Sequence, residues 1–177
     1  MTVRTRALCF LVLGILPLAA CGGGDSPGDD TTRVASDTVS ASLYQRLGGQ
    51  PAIVAVVDSF VARVAADARI NQKFARSDIA RVKAMLVEQI CTSTGGPCAY
   101  SGRSMKEAHL NMGVTEGEFT ALVEDLVLTL DAFRVGEREK NELLATLGTM
   151  KGDIVEVPGP ATGTPLPRNF VPAGGSR

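Results

Sequence analysis

The chain has 177 residues, enough for one domain plus uncommitted sequence. With 18 basic and 19 acidic residues its net charge is -1, so the broad basic surface of a dedicated nucleic-acid binder is excluded. A hydrophobic content of 45% excludes a disordered chain, and 5% aromatics without tryptophan argues against a carbohydrate-stacking platform. A single histidine excludes multi-histidine metal sites and bis-histidine haem, so any imidazole chemistry falls to His109.

Residues 1–20 have the form of an export signal. Arg4 and Arg6 precede an apolar run over residues 7–16 that is too short for a permanent bilayer-spanning helix. Leu18-Ala19-Ala20-Cys21 follows and resembles a bacterial lipobox, in which the cysteine is acylated and becomes the mature N-terminus. The alternative is an ordinary secretory signal with an incidental cysteine. Acylation at Cys21 carries more than one chain and holds a protein stably on a membrane, where a single chain is marginal. Residues 21–41 are rich in Gly, Asp, Ser and Thr and read as a flexible linker.

The expected domain covers residues 42–156, and its elements are helical. Ile53, Val56, Val57, Phe60 and Val64 recur at three and four, one face of an amphipathic helix. Ile79, Val82, Met85, Leu86 and Ile90 repeat the pattern. Thr115 and Glu118 have capping-box spacing and open a third helix striped by Phe119, Leu122, Val123, Leu126, Leu130 and Phe133. A fourth starts near Gly136 and carries Leu143, Leu144, Leu147 and Met150. Gly48-Gly49, Gly95-Gly96 and Gly113 mark the breaks. No alternating strand pattern, internal repeat or phosphate-cradling glycine loop occurs, so the class is all-α. Residues 157–177, rich in Pro and Gly, read as a disordered tail.

Of four cysteines, Cys9 lies in the signal and Cys21 is the acylation candidate, which leaves Cys91 and Cys98. They flank Thr92-Ser93-Thr94-Gly95-Gly96-Pro97, a strong turn sequence, and an exported compartment permits a disulfide. Closing so short a loop is worth about 2.5 kcal/mol in the chain-entropy model. No C-x-x-C-H motif is present for covalent haem attachment. His109 has no neighbouring cysteine pair or carboxylate cluster to complete a zinc site. It is either a satisfied residue or the axial ligand of a haem, which brings its own equatorial ligands and needs a dry apolar pocket.

Leu43-Tyr44-Gln45-Arg46-Leu47-Gly48-Gly49, Gly95-Gly96-Pro97, Tyr100-Ser101-Gly102 and Met105-Lys106-Glu107-Ala108-His109 with Met112-Gly113-Val114-Thr115 together resemble the group I truncated haemoglobins. The order and spacing match across the whole of residues 42–156. The resemblance implies a shortened globin in which two antiparallel helix pairs sandwich haem b. His109 matches the proximal ligand, Phe60 and Phe74 the two pocket aromatics, and Tyr100 a residue that reaches a propionate. Met105, Val114, Phe119 and Val123 are expected at the haem edge or proximal side, with Ile90 also at the pocket.

The distal side departs from the family pattern. Val61 stands where a tyrosine is common, Leu86 where a glutamine is common, and Val82 is nearest the iron one turn earlier. A donor to bound O2 is worth about 1.5–3 kcal/mol, so its absence weakens O2 binding roughly 10- to 100-fold. That disfavours tight O2 storage and NO-dioxygenase chemistry and leaves a binder of O2, CO or NO. A register one turn away brings Gln89 toward the iron instead. Met85 lies where some relatives place a second iron ligand; it either packs as a flexible pocket residue or makes a His/Met haem that exchanges electrons with a redox partner. The remaining alternative is a haem-free structural lipoprotein. The expected location is the cell envelope, with a membrane anchor through Cys21.

Overall fold

The computed structural model describes residues 41–172. The export signal, Cys21 and nearly all of the expected linker lie outside the described residues. Among the described residues there are seven helices: α1 (Leu43–Arg46), α2 (Gly49–Ala66), α3 (Ile79–Ser93), α4 (Met105–His109), α5 (Glu116–Ala132), α6 (Glu137–Gly148) and α7 (Lys151–Ile154). A 3-10 turn, Asn71–Phe74, lies between α2 and α3. Among the described residues the only β feature is an isolated parallel bridge between Thr115 and Val157.

The four long helices are the four apolar stripes. Helix α2 buries Ile53, Val57, Phe60, Val61 and Val64. It packs against both α3 and α5, while α5 in turn meets α6. Ile90 from α3, Leu126 and Leu130 from α5, and Leu143 from α6 complete one core with α2. Full burial of each such side chain is worth about 1.5–3 kcal/mol. This is why helix pairs, none of them strongly stable alone, assemble as one unit.

Local chemistry sets the helix ends. Gly48 and Gly49 turn the chain from α1 into α2 with φ of 95° and 71°, a left-handed path that side chains with a Cβ disfavour. Asp78 caps α3 by accepting from the Arg81 amide at 3.1 Å. Thr115 and Glu118 form the expected capping box at the start of α5. Phe133 is not part of the α5 stripe: the helix ends at Ala132, and Phe133 is 43% exposed just beyond it.

The disulfide joins Cys91 to Cys98 with a Cα–Cα distance of 5.8 Å. It fastens the end of α3 to the loop leading into α4. Packing around it is tight, since a Cβ on Gly96 would lie 2.6 Å from both Cys91 Sγ and the Tyr44 ring.

The ordered domain extends past residue 156, a correction to the expected tail. Residues 157–172 have no regular structure yet are bound to the helices. The amide of Gly117 donates to Gly159 O at 3.1 Å, and Gly163 N donates to Arg69 O at 2.6 Å. Thr164 gives Glu118 two hydrogen bonds, from its amide at 2.8 Å and its hydroxyl at 2.7 Å. Phe170 is 8% exposed and packs with Met112 and Val114, with Ile154 and Leu166 beside them. Pro and Gly remove helix and strand options without preventing a segment from being held by polar contacts and one aromatic anchor.

Candidate functional site

One cavity of about 510 Å3 lies between the helices. That volume is in the range of small-molecule and cofactor pockets. Helix α2 contributes Phe60 and Val61, and the 3-10 turn contributes Phe74. Helix α3 contributes Val82, Met85, Leu86 and Ile90, and the loop after the disulfide contributes Tyr100. Met105 and His109 come from α4, and Phe119 and Val123 from α5. Val114 is the exception and corrects the expectation. It is buried at 6% exposure in the satellite cluster with Met112 and Phe170, and does not line the cavity. It packs directly behind Met112 and Phe170, which do line the cavity.

His109 is the one imidazole of the chain. Its Nδ1 lies 2.8 Å from the Met105 carbonyl oxygen. A carbonyl only accepts, so Nδ1 carries the proton and Nε2 keeps its lone pair. Burial holds the His109 pKa below its ordinary value, against a raising influence from the Met105 bond and the Glu156 charge. The side chain is therefore a neutral, oriented nitrogen ligand with its second nitrogen already satisfied, the usual preparation of a metal-ligating histidine.

Helix α4 has only five residues and is not stable by itself. Ser104 and Glu107 form a capping box that fixes its first turn. The turn after His109 is clamped from two sides. Glu156 accepts from the amides of Asn111 and Gly113, each at 2.6 Å. Lys73 donates to the carbonyls of Met112 and Gly113, each at 3.0 Å, and sits 3.4 Å from the Glu118 carboxylate. Lys73 and Glu118 are both buried. Acceptors and donors of this turn are thus matched by charges of the right sign, which sets the position of His109 through its backbone. Neither Glu156 nor the Lys73–Glu118 pair carried a sequence signal beyond the capping role of Glu118.

Polar groups on the cavity wall are few. Ser77, Asp78, Arg81, Gln89 and Arg103 line it beside Tyr100. The Tyr100 hydroxyl donates to Arg103 O at 2.8 Å, and burial pushes its pKa up, so it stays a donor. Glu88 holds the same loop by accepting from the Ser101 amide and hydroxyl. Gln89 lines the cavity, but its Nε2 is directed to the sulfurs of Met105 at 3.2 Å and Met150 at 3.0 Å. It bridges α3 to α4 and to the α6–α7 junction, and so closes one edge of the cavity.

Among the described residues no group of three His, Cys, Asp or Glu is placed to hold a bare metal ion. The donor set fits a metal that arrives with its own equatorial ligands in an apolar macrocycle: one neutral imidazole, apolar walls and basic side chains at Arg81 and Arg103. Two packed helix pairs around such a cavity define a globin of the shortened, two-over-two kind.

Residues 42–156 match the model of the bacterial-like globin family, and the chain belongs to that family. It is 38% identical over 112 residues to the group 1 truncated hemoglobin of Synechocystis sp., covering 61% of this chain and 90% of that protein. The crystal structure of the truncated hemoglobin from Tetrahymena pyriformis in its Fe(III) form superposes with a TM-score of 0.63 at 30% identity, covering 65% of this chain and 98% of that one. The 2/2 hemoglobin from Synechococcus sp., solved in the cyanomet state with covalently attached heme, gives a TM-score of 0.62 at 34% identity with the same coverage. Globins hold haem through a proximal histidine.

Proposed function

We propose that this globin binds haem b through His109 and reversibly takes O2, CO or NO, outside the cytoplasm and tethered to a membrane of the cell envelope. The observation that carries the haem reading is His109: a neutral imidazole, its Nδ1 committed to the Met105 carbonyl, on the wall of an apolar cavity. Haem, when bound, supplies the iron that takes the gas. Phe60 and Phe74 line the cavity where they would pack against the macrocycle, and Arg81, Arg103 and Tyr100 are the groups suited to its propionates. Val61, Val82 and Leu86 carry no hydrogen-bond donor, so the distal side excludes water and gives bound O2 little support. Gln89, the one-turn alternative, already spends its amide on two thioethers. These features favour a gas-binding role over an enzymatic one.

The Cys91–Cys98 disulfide supports an oxidising, extracytoplasmic location, in keeping with the signal-like residues 1–20 and the lipobox-like Cys21. Met85 lines the same cavity as His109, which supports a second reading, a His109/Met85 haem that passes electrons to a redox partner. An absorption spectrum of the full chain, reduced and then exposed to CO, separates the readings. A five-coordinate ferrous band favours gas binding, and sharp six-coordinate bands before CO favour electron transfer. A chain without a Soret band removes both. For the anchor, Cys21→Ser should abolish partition into a detergent phase, and unchanged partition refutes acylation at Cys21.

A further inference from the structure

The family match ends at residue 156, but the described residues continue to 172 and return to the cavity. Its path is a built one. Gly117 lies so close to it that a Cβ there would come within 2.3 Å of Pro160 O and 2.5 Å of Ala161 O. Downstream, Thr164 is held by the buried Glu118 carboxylate, and Arg76 Nη1 donates to Phe170 O at 3.1 Å. Phe170 then packs on Met112, three residues past His109, and lines the cavity itself, as does Pro172. Arg76 precedes the start of α3, so the segment spans from the turn behind His109 to the entry of the opposite helix.

We propose that residues 157–172 are a strap that completes the ligand cavity, with Phe170 as a haem-contact residue supplied from outside the globin domain. The inference rests on the haem reading above. An apolar cavity holds its occupant by contact and by one metal–nitrogen bond, so each wall residue bears directly on retention. A phenylalanine that is 8% exposed while lining the cavity buries apolar surface on both of its sides. Removing it opens the cavity edge to water beside His109.

The test uses the haem-loaded full chain and two variants that act at different places. Phe170→Ala removes the wall, whereas Gly117→Ala obstructs the seat of the strap at a position that does not line the cavity. Haem transfer to excess apomyoglobin should run about tenfold faster or more in both, while Phe170→Leu stays near wild type. In the haem-free proteins, amide hydrogen exchange over residues 157–172, and at the Glu116 and Gly117 amides that donate to this segment, should rise in Gly117→Ala, while that of α2 and of α5 beyond its first turn is unchanged. A wild-type chain that holds haem, with both alanine variants holding it within about twofold as long, overturns the strap alone. A wild-type chain that takes up no haem overturns the haem reading and the strap's role with it.

Discussion

Replacing Lys73 by Met strips the turn behind His109 of its cation while keeping most of the side-chain volume. Lys73 is 2% exposed, and its ammonium serves Met112 O, Gly113 O and the Glu118 carboxylate together. Removing one partner of a buried pair costs about 3–5 kcal/mol. Glu118 would still accept from Thr115 N at 3.0 Å and from Thr164 N and Oγ1, which places the expectation near the lower end, about 3 kcal/mol. For a domain of this size that lowers Tm by roughly 10 °C and the urea midpoint by about 1–2 M with an unchanged slope. The assay is urea unfolding of the haem-free protein, repeated for Glu118→Gln and the double variant. The two sites touch, so the losses should fall short of additivity by about 0.5–3 kcal/mol. A Lys73→Met protein within about 0.5 kcal/mol of wild type would refute the claim that this ammonium clamps the turn.

Asp125 is buried, and its Oδ2 has no hydrogen-bond partner among the described residues. Burial holds its pKa above the ordinary value, so the folded state binds its proton more tightly and stability falls as pH rises through that raised pKa. Asp125→Asn should therefore be the more stable protein at pH 7, by about 1 kcal/mol in thermal unfolding, and its advantage should vanish in acid below the ordinary carboxylate pKa; equal stability at pH 7 contradicts this. Leu86→Gln should slow O2 dissociation by about one to two orders of magnitude and leave CO dissociation nearly unchanged in flash-photolysis and stopped-flow measurements. A wild-type protein that already releases O2 as slowly as the variant would mean that another residue supplies the hydrogen bond, with Gln89 the first to test.

The fold was legible because its determinants are local and periodic. Apolar stripes at three and four residues place α2, α3, α5 and α6, and the Thr115–Glu118 spacing places the start of α5. Most of the cavity wall follows from those stripes, since residues such as Phe60, Leu86 and Val123 face inward along with the rest of their helix face. What escaped is long-range and polar. Lys73 meets the carbonyls of Met112 and Gly113, and Glu156 meets the amides of Asn111 and Gly113, across separations that no periodicity encodes. Val114 packs behind the cavity-lining Met112 and Phe170, on a turn shaped by the left-handed residues Asn111 and Gly113, which helical periodicity does not describe. The segment 157–172 was misread because Pro and Gly composition reports the absence of helix, and its order comes instead from contacts with Gly117, Glu118 and Arg76.

The central claim is that His109 is the iron ligand, and it is tested by haem content and spectrum of His109→Ala beside wild type, both expressed as the full chain. The wild-type protein should show a Soret band that shifts on reduction and CO addition. The alanine variant, with the same far-ultraviolet circular dichroism, should hold no stable haem. Normal haem content with an unaltered reduced and CO-bound spectrum in His109→Ala would contradict the account.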